Sequence, residues 1–546
     1  MDSQLQTQID QSHSLDADRI SLEIVPCNDA AARLVMEWRN DSDTLASSFD
    51  DRPKQWEQFR DEFRDEYFSD PTLPCLFALQ GGKRVAFVRF RRLPELVRGI
   101  AACDISINVA PAARGKGIAS EAITAALHVA RTAGIGIVVA DIKPENAASV
   151  RMFEKTAFEY LTEVQHFIPH SGKEVTVKRF VRSTCELARF ANKSIGPGQH
   201  CFVIAEAGSN WRMGSAARDL KMAKALIEVA AEAGADAVKF QTYQPETTYV
   251  SNAGQSDYLS DSGIKESIMD IFADLAMPHE MLPELAKYAE SCNLVFMSSP
   301  FSVSDFEAVN PYVPIHKIAS YEISHIRLIE AIAKSGKPAM MSTGASNLRD
   351  IEWAVRYFQS LSKSTLCLMQ CTARYPASLS SMNLGVIPLL KARFQLPVGL
   401  SDHSRDPITA PLAAVALGAN LIEKHYTLDN RLPGPDHAFA ITAAELCAMV
   451  SYIRKAESVI GSSCKSIQTE EDELYSYARR GLQSIAKIVK GDPFVEGVNF
   501  DILRPGKQKR GMHPRFINSL QNQVAIRDIS IGEGIQPTDV TKLVSN

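Results

Sequence analysis

The sequence predicts an α/β protein in three folded parts: an N-terminal α/β domain, a central TIM (β/α)8 barrel and a small C-terminal β domain. Three observations lead there. From Phe202 onward, short apolar segments alternate with amphipathic helical stretches about eight times over roughly 250 residues, the repeat and length of a closed barrel. Nearly every one of those segments ends in a polar or charged residue, as barrel strands do at the rim that carries chemistry. The flanks break the pattern, with hairpin signals before it and short strands with tight turns after it. A doubly wound open sheet is the competing arrangement, but it would show fewer strands.

The 546 residues are too many for one core. A hydrophobic share of 45% and a charged share of 23% are those of a soluble globular chain. With a net charge of −5 and no long Lys/Arg run, nucleic acid is not an expected partner. No segment has the unbroken apolar run of a membrane span, so no membrane partner is expected either. The opening MDSQLQTQIDQSHSLDADR has neither a cationic flank nor an apolar leader core, and residues 1–18 are expected to be a disordered polar tail. Ten cysteines without a CxxC pair read as reduced thiols, and the expected location is the cytoplasm.

Residues 20–25 read as a strand and residues 30–38 as a helix opened by Asn28. Residues 52–68 form an amphipathic helix through Trp56, Phe59, Phe63 and Tyr67. Two strands flank Gly81-Gly82, a hairpin signal. A strand at residues 100–109 then runs through Ala112-Ala-Arg-Gly-Lys-Gly-Ile-Ala119 into a helix reaching Ala133. Glycines at such a junction leave backbone N–H groups bare at the positive end of the helix, where they can hold a diphosphate; a plain strand-to-helix turn has the same pattern. This segment, with Arg114, Gly115, Gly117 and Ala119, resembles the acyl-CoA loop of GNAT-type N-acetyltransferases. Asn146-Ala-Ala-Ser-Val-Arg-Met-Phe-Glu-Lys-Thr-Ala-Phe158 resembles that family's second hallmark. The resemblance implies a GNAT α/β domain at residues 19–183 with acetyl-CoA as cosubstrate, held by Arg114, Gly115, Gly117, Ala119 and Asn146. It departs at Phe153, where many members carry a tyrosine that protonates the leaving thiolate.

Residues 184–199, with Gly196-Pro197-Gly198, read as a linker to a barrel domain at residues 200–461. The expected barrel strands are residues 202–205, 237–240, 294–297, 316–319, 339–341, 366–369, 398–400 and 421–422. Helices between them stop at Gly234, Asn293, Gly336 and Gly418, where left-handed caps are expected. Side chains alternate along a strand, so Ser401 and His403 face one way, as do Glu423 and His425. Two neighbouring parallel strands thus bring two imidazoles to one mouth. A lone histidine is usually a satisfied core residue; a pair at strand ends points to a shared metal or substrate site. The other strand ends carry Glu206, Lys239 with Gln241, Ser298-Ser299, Lys317 with Ser320, Ser342-Thr343 and the stretch from Gln370 to Tyr375. Helix capping explains one or two of these, but not two lysines, two glutamates and two histidines on one rim, since unpaired charges there are costly without a ligand. Lysines beside hydroxyls suit a phosphate and a carboxylate, and the histidines suit a divalent metal.

Ile204-Ala-Glu-Ala207, Gly234-Ala-Asp-Ala-Val-Lys-Phe-Gln-Thr242, Lys317-Ile-Ala-Ser320, Ser342-Thr-Gly344, Ser401-Asp-His403, Glu423-Lys-His425 and Gly434-Pro-Asp-His437 together resemble the sialic acid synthase family. Its members condense phosphoenolpyruvate with an amino-sugar aldehyde to give a nonulosonic acid and phosphate. The resemblance implies that His403 and His425 ligate a divalent metal, Mn2+ ahead of Mg2+ or Co2+. It implies that Lys239, Gln241, Ser299, Lys317, Ser320, Ser342 and Ser401 hold phosphoenolpyruvate. Glu206 and Asp436 would act beside the histidines, and Tyr375, Glu423, Asp436 and Arg504 would contact the sugar. Ser299 replaces a common Thr and keeps the hydroxyl, whereas Ala373 stands where many members have Asn or Ser, which bears on the sugar taken.

Thr442-Ala-Ala-Glu445 is a capping box that opens a helix to about residue 460. Residues 462–478 read as a second linker, and residues 479–546 resemble the small antifreeze-like (SAF, β-clip) domain that ends sialic acid synthases. In that family the module takes part in a domain-swapped homodimer and offers an arginine, here Arg504, to the sugar's acyl group; an ordinary surface arginine is the plain alternative. The expectation is a bifunctional enzyme of nonulosonic acid synthesis, with an N-terminal domain that acetylates an amino-sugar precursor. Two alternatives stand beside it: a GNAT domain that binds without catalysing, and a Schiff-base aldolase working through Lys239 or Lys317.

Overall fold

Alternating apolar residues build the first sheet. Its strands are β1 (Ser21–Ile24), β2 (Leu76–Gln80), β3 (Lys83–Arg92), β4 (Ala102–Val109), β5 (Ile137–Ile142), β6 (Glu159–Ile168) and β7 (Lys173–Ser183), in the order β1-β2-β3-β4-β5-β7-β6. The computed structural model describes residues 20–50, 52–94, 101–168, 173–185, 187–255, 266–461 and 467–540, so the expected tail at residues 1–18 lies outside the described residues. Each neighbouring pair in the sheet is antiparallel except β4 and β5. That parallel pair is joined only from Ala102–Ile137 to Asp104–Val139, while β4 continues to Val109 and β5 to Ile142. The sheet therefore splits, and two strand edges line the gap. The helix Ile118–Thr132 packs on one face through Ile118, Ala122, Ile123 and Ala126, in one cluster with Leu76, Ala78 and Val138. The helices Asp29–Arg39 and Trp56–Glu66 cover the side that carries Phe77 and Phe87, which alternation places opposite.

The stretch read as a linker at residues 184–199 contains a hairpin, β8 (Ala188–Phe190) and β9 (Lys193–Ile195). Ala188, Phe190 and Ile195 pack with Phe202, Met340, Cys367 and Leu421 and close the N-terminal end of the barrel. Glycine and proline signalled a boundary there, and three-residue strands are too short for their alternation to register.

The barrel strands are β10 (Phe202–Gly208), β11 (Ala237–Thr242), β12 (Val295–Pro300), β13 (His316–Ile318), β14 (Ala339–Ser342), β15 (Leu366–Cys371), β16 (Val398–Asp402) and β17 (Leu421–Thr427). All pair in parallel in ring order, and β17 meets β10, so the barrel is closed save at β12 and β13, between which no pairing forms among the described residues. The helices end where expected, with φ of 78°, 59°, 72° and 88° at Gly234, Asn293, Gly336 and Gly418. Outward-facing Val203, Ala205, Val238, Leu368 and Ile422 pack against the helices. Inward-facing Phe202, Ile204, Met297, Met340, Met369 and Leu421 fill the lower interior. Gly399 faces inward at a crossing so close that a Cβ there would stand 2.1 Å from the Leu421 carbonyl oxygen. The strand β18 (Ile441–Thr442) extends β17, and Thr442 and Glu445 form the expected capping box on the helix Ala443–Ile460.

The chain forms two compact units, Met1–Ser463 and Cys464–Asn546. Within the second linker read from the sequence lies a helix, Asp472–Tyr477. The C-terminal unit pairs β19 (Gly481–Ser484) with β20 (Phe500–Leu503) around a core of Leu482, Phe494, Phe500, Leu520 and Ile535. Chain segments cross tightly in it: a Cβ at Gly511 would lie 1.9 Å from the Leu482 oxygen. No helix among the described residues is long and apolar enough to cross a membrane, and the nine described cysteines are free thiols.

Candidate active site

The inward parity that fills the barrel floor with Ile204, Met297 and Leu421 carries polar residues two positions further along these strands, while β15 carries Cys371 there. Glu206, Lys239, Ser299, Lys317, Ser342, Ser401, His403, Glu423 and His425 are all buried. Lys239 Nζ lies 2.7 Å from Glu206 Oε2 and donates to Ser299 Oγ at 3.0 Å. Gln241 Nε2 donates to Glu206 Oε1 at 3.0 Å, and Ser401 Oγ donates to Glu423 Oε1 at 3.0 Å. The same Glu423 oxygen stands 3.7 Å from Lys239 and 3.6 Å from Lys317. Ser320 Oγ accepts the Gly344 N–H at 3.1 Å, and a Cβ at Gly344 would stand 2.8 Å from that oxygen.

Burial disfavours charge here, and neighbours decide which groups keep it. Burial pushes the Glu206 carboxyl up, with Lys239 pulling the other way. Burial works against Glu423 too, but Lys239 and Lys317 hold it down to about 2. Burial would lower Lys239, yet Glu206 and Glu423 raise it; Lys317 is lowered by burial, with Glu423 pulling up and Lys239 adding to the lowering. Ser342 Oγ, Glu423 Oε2 and His425 Nδ1 are buried polar atoms without a hydrogen-bond partner, which is what a ligand-binding mouth leaves open.

The two imidazoles meet as the sequence predicts, ring centroids 5.4 Å apart at 72°. His403 Nδ1 donates to the Thr372 carbonyl at 3.1 Å, which leaves Nε2 as the lone-pair nitrogen. Burial holds His403 down to about 3, so it is neutral, the form a metal takes. His425 Nδ1 lies 3.6 Å from Asp436 Oδ2. No group of three or more His, Cys, Asp or Glu side chains is set to hold an ion among the described residues. The facing imidazoles, with the unpartnered buried His425 Nδ1 and the lone pair on His403 Nε2, are nitrogen donors of the kind a divalent ion takes, and water or substrate oxygens would have to fill its other positions. Tyr375 stacks on His403 at 4.1 Å, and Phe439 stands 5.2 Å from both Tyr375 and His425.

The barrel thus assembles every site residue read from it. Arg504 is exposed on the C-terminal unit. Four residues at or behind the site were given no role in it by the sequence. Phe439 closes the aromatic wall, and nothing in its local pattern marks it. Cys371, read as a reduced thiol within the rim stretch Gln370 to Tyr375, places its Sγ 3.8 Å from His403 Nδ1; its inward parity with Met369 was the available signal. Lys424 and Asp402 face outward and pair at 2.7 Å behind the histidines.

In the N-terminal domain Gly115 and Gly117 have φ of 76° and 80° with open space where a Cβ would be, so glycine serves the backbone path there. The helix Ile118–Thr132 begins at Gly117, and the N–H groups of Ile118 and Ala119 have no acceptor within the helix. Arg114 is held by Asp43 at 3.0 Å, Thr44 at 2.9 Å and Asp41. Asn146 caps the helix Ala147–Lys155 by accepting the Ser149 N–H at 3.0 Å. Phe153 is buried against Phe158, ring centroids 4.9 Å apart.

Residues 226–465 match the model of the NeuB family, and residues 33–158 match the acetyltransferase (GNAT) family. The spore coat polysaccharide biosynthesis protein SpsE of Bacillus subtilis strain 168 is 39% identical over 368 residues, spanning 64% of this chain and 96% of that protein. The pseudaminic acid synthase of Campylobacter jejuni subsp. jejuni serotype O:23/36 is 34% identical over 62% of this chain and 96% of its own length. The N,N'-diacetyllegionaminic acid synthase of Campylobacter jejuni subsp. jejuni serotype O:2 is 36% identical over 56% of this chain and 90% of its own length.

Proposed function

We propose, from the premise that the chain belongs to the NeuB family and carries a GNAT segment ahead of the barrel, that it makes a nonulosonic acid. The barrel condenses phosphoenolpyruvate with an N-acetylated amino-sugar aldehyde and releases phosphate. The observation that carries the reading is the inward row of Lys239, Lys317 and four serine hydroxyls beside two facing imidazoles. Two anionic ends of one small molecule match that row, and the names of the synthase relatives agree with it.

In this mechanism Lys239, Lys317, Gln241 and the hydroxyls of Ser299, Ser320, Ser342 and Ser401 grip the phosphate and carboxylate of phosphoenolpyruvate. Fixing both ends removes entropic cost worth up to about 7 kcal/mol. A divalent ion held by His403 and His425, Mn2+ first among candidates, would supply Lewis-acid polarisation of the aldehyde oxygen. C3 of phosphoenolpyruvate bonds to the aldehyde carbon, that oxygen takes a proton, water adds at C2, and the C2–O bond to phosphate breaks. Glu206, raised by burial and bonded to Lys239 and Gln241, is placed to hold the proton exchanged at the sugar oxygen or the water. Asp436 and Tyr375 orient sugar hydroxyls, with Glu423 beside them. The N-terminal domain acetylates an amine of a sugar precursor from acetyl-CoA; with Phe153 buried, the departing thiolate takes its proton from another group or solvent. The C-terminal unit is read as an antifreeze-like module with Arg504 its sugar-facing residue, and the enzyme as a homodimer.

The test is phosphate release from phosphoenolpyruvate with Mn2+ and a panel of N-acetylated amino sugars. At least one sugar should support turnover, lost in His403→Ala and in His425→Ala by about 10²-fold or more and lost on chelation. Silence with every sugar would set the reading aside. A second reading has one observation behind it: burial lowers Lys317, as a Schiff-base lysine requires. That aldolase would be trapped by borohydride and indifferent to chelators, and we expect neither.

A further inference from the structure

We propose that His166, oriented by Asp141, is the base of an acceptor-amine site in the N-terminal domain; the proposal rests on reading that domain as an acetyltransferase. At the split between β4 and β5, one face of the sheet is occupied by the helix Ile118–Thr132 with Phe153 and Phe158. The glycine loop that the proposed function assigns to acetyl-CoA follows the free end of β4, which puts a thioester at the split. On the opposite face the helices Asp29–Arg39 and Trp56–Glu66 pack over Phe77 and Phe87, and their apolar cluster holds no residue of β5, β7 or β6, the strands over which the amine approaches. On that face the strand alternation sets Asp104 on β4, Asp141 on β5, Arg179 directly across from Asp141 on β7, and His166 on β6. Arg179 binds Asp141 with two hydrogen bonds of 2.8 and 2.7 Å, and His166 Nε2 lies 2.9 Å from Asp141 Oδ2. Since a carboxylate accepts, Nε2 donates, and the lone pair is on Nδ1. Phe49 stacks on the imidazole at 4.9 Å and 22°, fixing the ring plane.

A purely structural role would need only the Arg179–Asp141 pair. Here a third group is added whose ring is oriented by a clamped carboxylate yet keeps 29% of its side chain exposed, against 7% for Asp141. That is the nucleophile-activating arrangement in which a base is aimed by a second residue that does not itself react. Asp104, on the same face and 26% exposed, is paired with Arg91 at 3.0 Å, so the polar character of that face is carried by closed ion pairs with the imidazole left over. The chemical class that fits is a primary amine carried as ammonium on a small polar molecule. His166 Nδ1 takes one proton from the ammonium, and the amine nitrogen bonds to the thioester carbon. The C–S bond then breaks with its electron pair on sulfur. The second nitrogen proton ends on the thiol through solvent, and His166 returns its proton to bulk.

The experiment is thiol release by the full chain with acetyl-CoA and a panel of primary amines that includes 4-amino sugar nucleotides. With an amine that the native protein acetylates, His166→Gln should lower kcat about 10²-fold or more while acetyl-CoA affinity stays unchanged. Added imidazole should restore activity to His166→Gly, and hydroxylamine, which is uncharged at neutral pH, should be acetylated at near-native rate by both variants. A His166→Gln protein with native kcat, or a loss that neither imidazole nor hydroxylamine relieves, would overturn the assignment and leave the transferase reading standing. A native chain that acetylates no amine would remove both.

Discussion

Lys239 and Lys317 reach the same Glu423 oxygen from two strands, yet they stand in opposite states. Lys239 has a second carboxylate 2.7 Å away and is raised; Lys317 lacks one and is lowered by burial. An incoming dianion therefore does most for Lys317. At the other end of β13, His316 is buried with Nε2 3.0 Å from Asn310 Oδ1, and burial lowers it to about 3. Its neutral form is native, so an unfolded chain binds a proton that the folded chain refuses. Its contribution to stability is whole above pH 6.5 and drains as pH falls from there towards about 3. Urea unfolding of His316→Gln should therefore lose less stability between pH 7 and pH 4 than the native chain does. At this scale the sequence told which way a side chain points, because parity needs only the strand. It could not tell what each charge meets: Arg114 was read toward acetyl-CoA, and its carboxylate partners Asp41 and Asp43 come from the start of a helix far away in the chain, with no local signature.

The strand pair β16–β17 works on both of its faces. Inward, it presents Ser401, His403, Glu423 and His425; outward, Lys424 Nζ gathers Asp402 Oδ2 at 2.7 Å, Ser404 Oγ at 3.1 Å and the Asp406 carbonyl at 2.9 Å. That buried clamp fixes the loop that leaves β16 just after His403. Lys424→Met should destabilise the barrel by about 3–5 kcal/mol, because Asp402 is left buried without its cation. Adding Asp402→Leu should recover a large part of the loss, since two apolar residues need no pairing. The check is the urea midpoint of each variant; a double variant no better than the single one would contradict it. Elements as long as β10 or the helix Ala443–Ile460 were legible from periodicity and caps. The hairpin at residues 188–195 was not, because its stabilisation comes from side chains supplied by the barrel floor, and a window along the chain cannot see them.

Across the whole molecule, the N-terminal sheet and the barrel have separate cores: their apolar clusters share no residue. Condensation should therefore survive loss of the transferase. A chain beginning at residue 184 should release phosphate from phosphoenolpyruvate at a rate within about twofold of the full protein, whereas His166→Gln should leave that rate untouched. A barrel that fell silent without residues 1–183 would show that the first domain completes its site. The order of the two domains was legible because each carries glycine-anchored motifs that constrain backbone, whereas the identity of the sugar was not, because a substitution such as Ala373 changes one side chain without leaving a mark on the pattern that builds the fold.

The hairpin β8–β9 has one more consequence. The tether between the N-terminal domain and the barrel is also a cork: Ala188, Phe190 and Ile195 are seated beneath the barrel, so the cord that joins the domains is knotted into one of them. Any exchange of one acetyltransferase for another, by recombination or by design, has to cut upstream of Ala188. A cut only a dozen residues later would carry off the stopper and flood the barrel floor with water.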